Sequence, residues 1–243
     1  MRPEPHTEGG LAAIVAAREE ADRIGATVAA LRAVFPAARI WVADDASGDG
    51  TAEAAMAAGA EVVRRGRPHG KGGNMTAAAE AALSVAEPPR LVLLCDGDLG
   101  ASAARLERLV AAVEAGECDL AVASFSRRLG GGFGLALGFA RWSVARLCGL
   151  RTQAPISGQR AMRVEALRTA LPFARGYGME IGMTVDVVRA GFRLREYELE
   201  LEHRATGRDL AGFAHRGCQL LDFTRAFLAR LAPRRGGPPA AGR

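Results

Sequence analysis

The chain has 243 residues, of which 49% are hydrophobic and 5% aromatic, and a formal net charge of +5. This length is enough for one large α/β domain with a sizeable core. The basic charge suits anionic substrates, but few aromatic residues accompany the arginines, so the composition argues against a nucleic-acid-binding protein. The four cysteines are scattered without a CxxC pair, which argues against a zinc site and against a disulfide framework.

Neither a secretory nor a membrane-spanning segment is evident in the sequence. Residues 1–10 lack the apolar core of a signal peptide, and no apolar run reaches the roughly 20 residues that cross a bilayer. A cytoplasmic protein is therefore expected, at most peripheral at the inner face of a membrane. Residues 1–10 are predicted to be a flexible N-terminus and residues 233–243 a disordered tail.

Short apolar strands alternate with helices through the first half of the chain. In chain order, the predicted elements are a strand at 11–17, a helix at 24–35, a strand at 38–45, a helix at 51–58, a strand at 60–65, a helix at 73–86, a strand at 90–96, a helix at 102–115 and a strand at 118–126. Strands that are apolar on both faces and alternate with helices favour a parallel sheet covered on both sides. The pattern predicts an α/β fold with a Rossmann-like, mostly parallel central sheet.

The second half of the chain is less regular. It begins with a glycine-rich loop at 130–138, a helix and the turn-like segment "QAPISGQRAM". A helix over 179–191 and a strand over 194–201 follow. The last predicted helix, at 211–231, carries an apolar stripe between arginines.

Polar residues cluster where the predicted strands end. Glu19, Asp45 and the pair Asp96 and Asp98 each follow an apolar strand, and Lys71 follows the third. Ligands of parallel α/β sheets bind beyond the carboxyl ends of the strands. The sequence therefore predicts one site that is assembled from distant segments.

The segment "RLVLLCDGDLG", residues 90–100, ends a buried strand in an Asp-x-Asp pair. Alternate strand residues share a face, so both carboxylates can point to the same side. Two such oxygen donors suit Mg²⁺ or Mn²⁺, and the ion can neutralise a departing diphosphate. The alternative is that one aspartate caps the helix near Ser102 while the other is solvated.

The segment "GRPHGKGGN", residues 66–74, is a glycine-rich loop with one lysine before a helix. Backbone N–H groups at a helix start favour phosphate, and Lys71 would add a positive charge. The spacing is not that of a P-loop. The alternative is that Lys71 is an ordinary exposed cation.

Four segments occur in order through the first half: "IVAAREE", "VADDASGDGT", "GKGGN" and "LCDGDLG". Together they resemble the nucleotide-binding half of family 2-type glycosyltransferases with the GT-A fold. The resemblance implies a nucleoside-diphosphate sugar, UDP- or GDP-linked, as donor, and a single domain over 11–232 in which 11–126 bind the donor and 127–232 the acceptor. It implies these donor and metal contacts: Ala17, Glu19 near the ribose, Asp45 near the nucleobase, Lys71 near the phosphates or sugar, and Asp96, Gly97 and Asp98 as the metal-binding segment.

The second half is similar to glucosyl-3-phosphoglycerate synthases in "RGYGMEIGMTVDVVRAGF" and "LEHRATGRDLAG". That resemblance implies that Tyr177 and Glu180 approach the sugar and that His203 completes the metal site. If the acceptor is a hydroxyl and the configuration inverts, Glu180 is the candidate base, with Asp98 acting through the metal. With a phosphate acceptor, or with retention, Glu180 would orient the sugar.

Two segments of the second half, residues 130–139 and "PISGQRAM", bear on which acceptor the protein uses. Those synthases hold a phosphate just after a Gly-Gly-Gly turn, whereas here residues 130–132 run into an apolar segment. "PISGQRAM" instead looks like the Ser-Gly-x-Arg segment of polyprenyl-phosphate sugar transferases, which implies that Ser157 and Arg160 contact an acceptor phosphate. A lipid phosphate and a small phosphorylated acceptor both stay open, as do a peripheral membrane contact and a homodimer.

Two other classes of protein would use similar parts. A nucleotidyltransferase would carry a Gly-x-Gly-Thr-Arg-like loop after its first strand, where this chain has "AAREEAD". A non-catalytic sugar-nucleotide-binding protein is the other hypothesis. The presence of the Asp-x-Asp pair, Lys71 and His203 together disfavours it.

Overall fold

A computed structural model describes residues 10–125, 134–202 and 210–231 of the chain. The strands are β1 (Leu11–Ala17), β2 (Arg39–Asp44), β3 (Glu61–Arg64), β4 (Leu91–Asp96), β5 (Leu120–Phe125), β6 (Arg160–Arg163) and β7 (Leu194–Leu199). The helices are α1 (Ile24–Val34), α2 (Thr51–Ala57), α3 (Gly70–Leu83), α4 (Glu107–Glu114), α5 (Gly134–Cys148), α6 (Val164–Ala170), α7 (Met179–Arg189) and α8 (Leu210–Leu231). Within the described ranges the strands form one seven-stranded sheet in the order β3-β2-β1-β4-β6-β5-β7.

The middle of this sheet is apolar on both faces. Ile14 of β1 is in parallel register with Leu94 of β4. Both belong to a buried cluster that includes Met75 of α3. Val15, the next residue of β1, belongs to a second cluster with Leu31 of α1. Successive strand residues point to opposite faces, so helices cover both sides and the predicted α/β architecture is confirmed.

The strand β6 does not correspond to any predicted element. It runs antiparallel between β4 and β5, whereas the other neighbouring strands described here pair in parallel. Its register places Arg160 opposite Leu94. The segment resembles a turn in sequence because the strand has only four residues, and two of them are arginines. By inserting here, β6 brings residues 157–160 beside the carboxyl end of β4.

Helix α3 begins at Gly70 and not at the predicted residue 73, so "GKGGN" is the first turn of a helix and not a loop. Glycine disfavours helix by about 1 kcal/mol per residue relative to alanine, which is why the sequence suggested a loop. Tertiary contacts override that preference. Asp45 accepts the N–H groups of His69 and Gly70 over 2.7 and 3.2 Å, as an N-terminal cap does. Gly72 packs so tightly that a Cβ there would stand 1.9 Å from the Ala174 carbonyl oxygen.

Helix α5 starts inside the segment predicted as a glycine-rich loop over 130–138. The chain is helical from Gly134, and the preceding part of that loop lies outside the described residues. Ala140 and Val144 of α5 are fully buried in a cluster with Ile181 of α7. Packing of this helix face stabilises the helix despite its glycines.

The helix predicted over 102–115 is divided in two. A 3₁₀ turn covers Gly100–Leu106, and α4 follows from Glu107. The Thr27 hydroxyl accepts the Gly100 N–H over 2.9 Å, which holds the start of this turn against α1. The chain leaving the Asp-x-Asp pair is therefore a tight turn and not a regular helix.

Helices α7 and α8 pack against each other through a buried ion pair. The Arg230 guanidinium of α8 donates from Nε to Asp186 Oδ1 of α7 over 3.0 Å and from Nη2 to Oδ2 over 2.5 Å. Gly182 makes room for it, since a Cβ there would stand 2.7 Å from Nη2. No helix in the described part of the chain combines the length and the apolar character that crossing a bilayer requires.

Candidate active site

The Asp-x-Asp segment forms the turn after β4. Gly97 donates its N–H to the Ala16 carbonyl over 2.8 Å, and its own carbonyl accepts the Thr27 hydroxyl over 2.7 Å. A Cβ on Gly97 would stand 3.1 Å from that Ala16 oxygen, so glycine permits this close approach. The turn is thus fixed to β1 and α1. It carries Asp96 and Asp98 at the carboxyl edge of the sheet.

Lys71, in the first turn of α3, lies between two carboxylates. Its Nζ is 2.7 Å from Asp96 Oδ1 and 2.8 Å from Glu180 Oε1, at the start of α7. Burial alone would lower the pKa of Lys71, but the charges of Asp96 and Glu180 outweigh it and hold that pKa above its ordinary value. The ammonium therefore stays charged at neutral pH. It joins the end of β4 to the start of α7.

Gln159 fixes the other oxygen of Asp96. Its Nε2 donates to Asp96 Oδ2 over 2.7 Å, and the side chain is fully buried. Continuing the antiparallel register of β4 and β6 by two residues places Gly158 opposite Asp96. Asp96 is thus oriented from two sides, by Lys71 and by Gln159, before any ligand binds.

Glu19 joins the loop after β1 to the loop after β2. Its N–H donates to the Ser47 hydroxyl over 3.0 Å, and its Oε1 accepts the Gly48 N–H over 2.9 Å. Glu19 and Ala46 adopt left-handed backbone conformations, with φ of 56° and 59°. Such conformations are uncommon for residues other than glycine and concentrate at functional sites.

Asp45 anchors the start of α3. Besides the N–H groups of His69 and Gly70, its carboxylate faces Arg18, whose Nη1 lies 3.9 Å away. Its own N–H donates to the Ala17 carbonyl over 3.0 Å. The side chain is largely buried, with 6% exposed.

Tyr177 lies in a 3₁₀ turn, Gly176–Gly178, that leads into α7. Its N–H donates to Asp222 Oδ2 of α8 over 3.1 Å. Asp222 approaches so closely that a Cβ on Gly176 would stand 1.9 Å from its carboxylate. On the opposite side of Gly176, a Cβ on Gly70 would stand 3.4 Å from the Gly176 Cα. Helix α8 thus holds the turn with Tyr177 against the start of α3.

The Arg160 side chain points into the protein, and its burial does not support the predicted contact with an acceptor phosphate. The residue is 1% exposed. Its guanidinium donates from Nε to Ser157 O over 2.8 Å, from Nη1 to Thr184 Oγ1 over 2.9 Å and from Nη2 to Pro155 O over 3.2 Å. Burial lowers the pKa of Arg160 to about 10. Thr184 in turn donates to the Glu180 carbonyl over 2.9 Å. Through its hydrogen bond to Thr184, Arg160 therefore stabilises α7.

The predicted metal ligands were Asp96, Asp98 and His203, and the last lies outside the described residues. Among residues 10–125, 134–202 and 210–231, no three His, Cys, Asp or Glu side chains are grouped closely enough to hold a metal ion. Two carboxylates on one turn still suit a hard divalent cation. Gly158 leaves Asp96 open, because a Cβ there would stand 3.0 Å from Oδ2. The residues present fit Mg²⁺ or Mn²⁺, whose further ligands would come from substrate and water.

Comparison with known proteins identifies the family. Residues 12–169 match the model described as Glycosyl transferase family 2. The chain belongs to glycosyl transferase family 2. Its mostly parallel sheet is that of GT-A glycosyltransferases, and the protein is a glycosyltransferase. No curated protein matches the sequence of this family member at a significant level.

Several solved structures resemble this family 2 glycosyltransferase over nearly its whole length. Glucosyl-3-phosphoglycerate synthase from Mycobacterium tuberculosis, in complex with Mn²⁺, UDP and glucosyl-3-phosphoglycerate, is 26% identical, with 94% of this chain and 82% of that chain covered and a TM-score of 0.73. The same synthase with Mn²⁺, UDP and phosphoglyceric acid is also 26% identical, covering 94% and 81%, with a TM-score of 0.73. A mycobacterial protein is 28% identical, covering 91% and 74%, also with a TM-score of 0.73.

Most, but not all, of the residues that meet at this site are predictable from the sequence. Lys71, Asp96 and Glu180 are brought together, although each comes from a different segment. Gln159 and Asp222 were missed. Gln159 lies within the quoted segment "PISGQRAM", but only the antiparallel register shows that it reaches Asp96. Asp222 carries no local signal, because its partner is a backbone N–H far away in the sequence.

Replacing Gly158 with alanine is expected to impair catalysis with little loss of stability. The new Cβ would stand 2.6 Å from Lys71 Nζ and 3.0 Å from Asp96 Oδ2. The lysine end is flexible and can move away, but the Lys71–Asp96 contact is then lost. We expect transfer activity to fall roughly tenfold or more, as when one electrostatic contact is misplaced. Activity assays and thermal melts measure the two effects.

The matched control is Gly25→Ala in α1, where a Cβ would meet nothing within 4 Å. This variant is expected to retain full activity and to be as stable as the original chain or slightly more stable. Equal activity of Gly158→Ala and Gly25→Ala would show that the position of Lys71 does not matter for transfer.

Proposed function

We propose that this glycosyltransferase moves a sugar from a UDP- or GDP-sugar to a small phosphorylated acceptor, with Mg²⁺ or Mn²⁺ bound. The observation that carries the proposal is the Lys71 ammonium, held between Asp96 at the end of β4 and Glu180 at the start of α7. It links the proposed donor half, residues 11–126, to the proposed acceptor half, residues 127–232. The similar synthase with Mn²⁺, UDP and phosphoglyceric acid supports this choice of substrates.

The proposed donor site uses the carboxyl edge of the sheet. Asp96 and Asp98 would hold the metal, and the bound metal supplies charge that stabilises the departing diphosphate. Gln159 keeps Asp96 in position, and Lys71 contributes a second positive charge near the phosphates. Glu19, with its left-handed backbone, forms the rim on which the ribose would lie. These groups are preorganised by their own hydrogen bonds, so little reorganisation is needed as charge develops.

The proposed sugar site lies between Tyr177 and Glu180. Glu180 is 3% exposed and paired with Lys71, while Tyr177 is half-buried on the turn held by Asp222. This arrangement suits a role in orienting the sugar hydroxyls. If the acceptor is a hydroxyl and the configuration inverts, Glu180 also accepts its proton. The anomeric configuration of the product, read by NMR, distinguishes the two roles.

The burial of Arg160 affects which of the two acceptor classes is better supported. The polyprenyl-phosphate hypothesis relied on Ser157 and Arg160 contacting a phosphate. Ser157 is 3% exposed, and its hydroxyl lies 3.3 Å from Gln159 Oε1. Neither side chain is therefore available to a lipid phosphate, which leaves a small phosphorylated acceptor as the better supported proposal.

Thermal-shift measurements with and without Mn²⁺ test the donor. UDP or GDP, or their sugars, should raise the melting temperature in the presence of the metal, since a ligand at about 100 times its Kd stabilises by about 2.7 kcal/mol. Absence of a shift with all of these would count against the proposal. Transfer assays with 3-phosphoglycerate and with a short-chain polyprenyl phosphate then identify the acceptor.

We also propose a cytoplasmic location. Cys95, Cys118 and Cys148 are free thiols, as expected in a reducing compartment. Cys95 adjoins the metal-binding aspartates, but burial raises the pKa of its thiol, so it stays protonated and does not serve as a ligand.

A further inference from the structure

Helix α8 exposes an apolar stripe that the core does not use. Pairs of its members lie three, seven and eleven residues apart, spacings that place them on one face of the helix. They are Leu220, Leu221, Leu228 and Leu231, with exposed fractions of 43%, 57%, 57% and 48%. The opposite face of α8 carries the buried residues, Phe223, Ala226 and Arg230. In the part of α8 whose side chains the structure describes, residues 220–231, one side packs against the other described residues and the leucine side is exposed to solvent.

Helix α5 continues this apolar surface. Trp142 is 52% exposed, and its ring lies 5.0 Å from that of Phe227 on α8, centroid to centroid. Phe139 completes an aromatic group, 5.7 Å from Trp142 and 6.1 Å from Phe227. The α5–α8 face, defined here by Trp142, Phe227 and the four leucines, is thus continuous across both helices. Contiguous exposed apolar surface of this kind marks an interaction site.

The charges around the α5–α8 face are mainly positive. Helix α5 contains no acidic residue, and α8 contains only Asp222. The Asp222 side chain is 18% exposed, pairs with Arg225 Nη1 over 3.5 Å and accepts the Tyr177 N–H. The exposed charged residues described on these two helices are Arg141, Arg146 and Arg225. The face therefore combines tryptophan, leucine and arginine without an outward carboxylate.

We propose that the α5–α8 face binds the surface of an anionic lipid bilayer. Helices that lie in a membrane interface carry tryptophan, phenylalanine and leucine on one side and arginine or lysine beside them. Anionic headgroups attract such cations electrostatically. A second copy of the chain is the less favourable occupant, because a two-fold axis would bring the same arginines against each other. The proposal does not depend on which acceptor the enzyme uses.

Vesicle binding tests the proposal directly. The full chain is mixed with vesicles of pure phosphatidylcholine or of phosphatidylcholine with phosphatidylglycerol, and the bound fraction is measured by sedimentation. We expect binding to the anionic vesicles that weakens as salt is added. Trp142 is the reporter: in a Trp41→Phe background its fluorescence should shift to the blue and be quenched by brominated lipid. Failure to sediment with anionic vesicles at low salt would overturn the proposal.

Two substitutions locate the binding to this face. Leu228→Gln combined with Leu231→Gln, and separately Arg146→Glu, should each weaken vesicle binding roughly tenfold or more. The matched control is Met56→Gln, which removes an apolar side chain of similar exposure, 53%, from α2 and should bind vesicles normally. All three variants should keep the nucleotide-induced thermal shift, so that loss of membrane binding is distinguished from loss of the donor site. A dimer in solution that the double leucine variant converts to a monomer would assign the face to a second copy and overturn the proposal.

Discussion

Replacing Asp96 with asparagine is expected to reduce sugar transfer by about two to three orders of magnitude. In the structure, two donors face this carboxylate: Lys71 Nζ at 2.7 Å from Oδ1 and Gln159 Nε2 at 2.7 Å from Oδ2. An amide has one oxygen and can accept from only one side, and it lacks the charge that holds a divalent cation. Steady-state rates across a Mn²⁺ titration measure the effect, which should be a loss that added metal does not restore.

The matched control for this variant is Asp119→Asn. Asp119 lies just before β5, where its carboxylate pairs with Arg163 and Arg193 over 3.4 and 3.3 Å. It is at the amino-terminal edge of the sheet, away from the site, so the same chemical change should leave the rate and its metal dependence intact. If Asp96→Asn kept more than about a tenth of the activity, a metal role for Asp96 would be untenable.

Replacing Lys71 with methionine is expected to impair both catalysis and stability. Glu180 is 3% exposed, and without the ammonium its buried carboxylate loses a charged partner. Removing one member of a buried pair costs about 3 kcal/mol, which for a chain of this size is about 6 to 12 °C in Tm. Transfer should fall about a hundredfold or more, because a positive charge beside the diphosphate is lost. Melting curves and rates at saturating donor measure the two losses.

The pH dependence of this effect has a definite sign. The pKa of Lys71 lies above its ordinary value of 10.5, so its contribution to folding is complete below that pH and is lost only as the pH rises beyond it. Lys71 therefore stays charged between about pH 6 and pH 9. In that range its titration should not change the Tm difference between the original chain and Lys71→Met. A difference that disappeared between neutral pH and about pH 9 would show that Lys71 titrates there, contrary to the geometry.

A double variant separates the two consequences of losing Lys71. Adding Glu180→Gln to Lys71→Met removes the buried charge that was left unpaired, so most of the lost stability should return. Activity should not return, because neither the cation nor the carboxylate is present. If the double variant were no more stable than Lys71→Met, the pairing of Lys71 with Glu180 would not be a stabilising contact.

The sequence predicted the strands best where the signal was local. The runs ending at Ala17 and Asp96 are apolar on both faces and lead into charged residues that include acids, so their position, their burial and the edge of the sheet that they reach could be inferred without a structure. The order of the four quoted segments was specific enough to indicate the family. The start of α3 was predicted wrongly, because glycine has a poor intrinsic helix propensity and the contact that compensates, from Asp45, is not adjacent in sequence.

The direction of the Arg160 side chain could not be predicted from its sequence motif. A Ser-Gly-x-Arg segment indicates a phosphate contact, but the direction of the arginine depends on the strand that carries it. Because β6 inserts antiparallel between β4 and β5, Arg160 points into the protein, toward Thr184, while Gln159 reaches Asp96. No periodicity in four residues could distinguish these two side chains.

Sequence alone determined the alternation of strands and helices, the acids at the strand ends and the family to which the chain belongs, since each depends on neighbours within a few residues. Tertiary structure decided which of those polar groups meet. The pairing of Lys71 with both Asp96 and Glu180, the support of Tyr177 by Asp222 and the exposure of the α5–α8 face all join segments far apart in the chain. Contacts of this kind depend on how the sheet is ordered and how the helices pack on it, and those arrangements arise only when the whole chain folds.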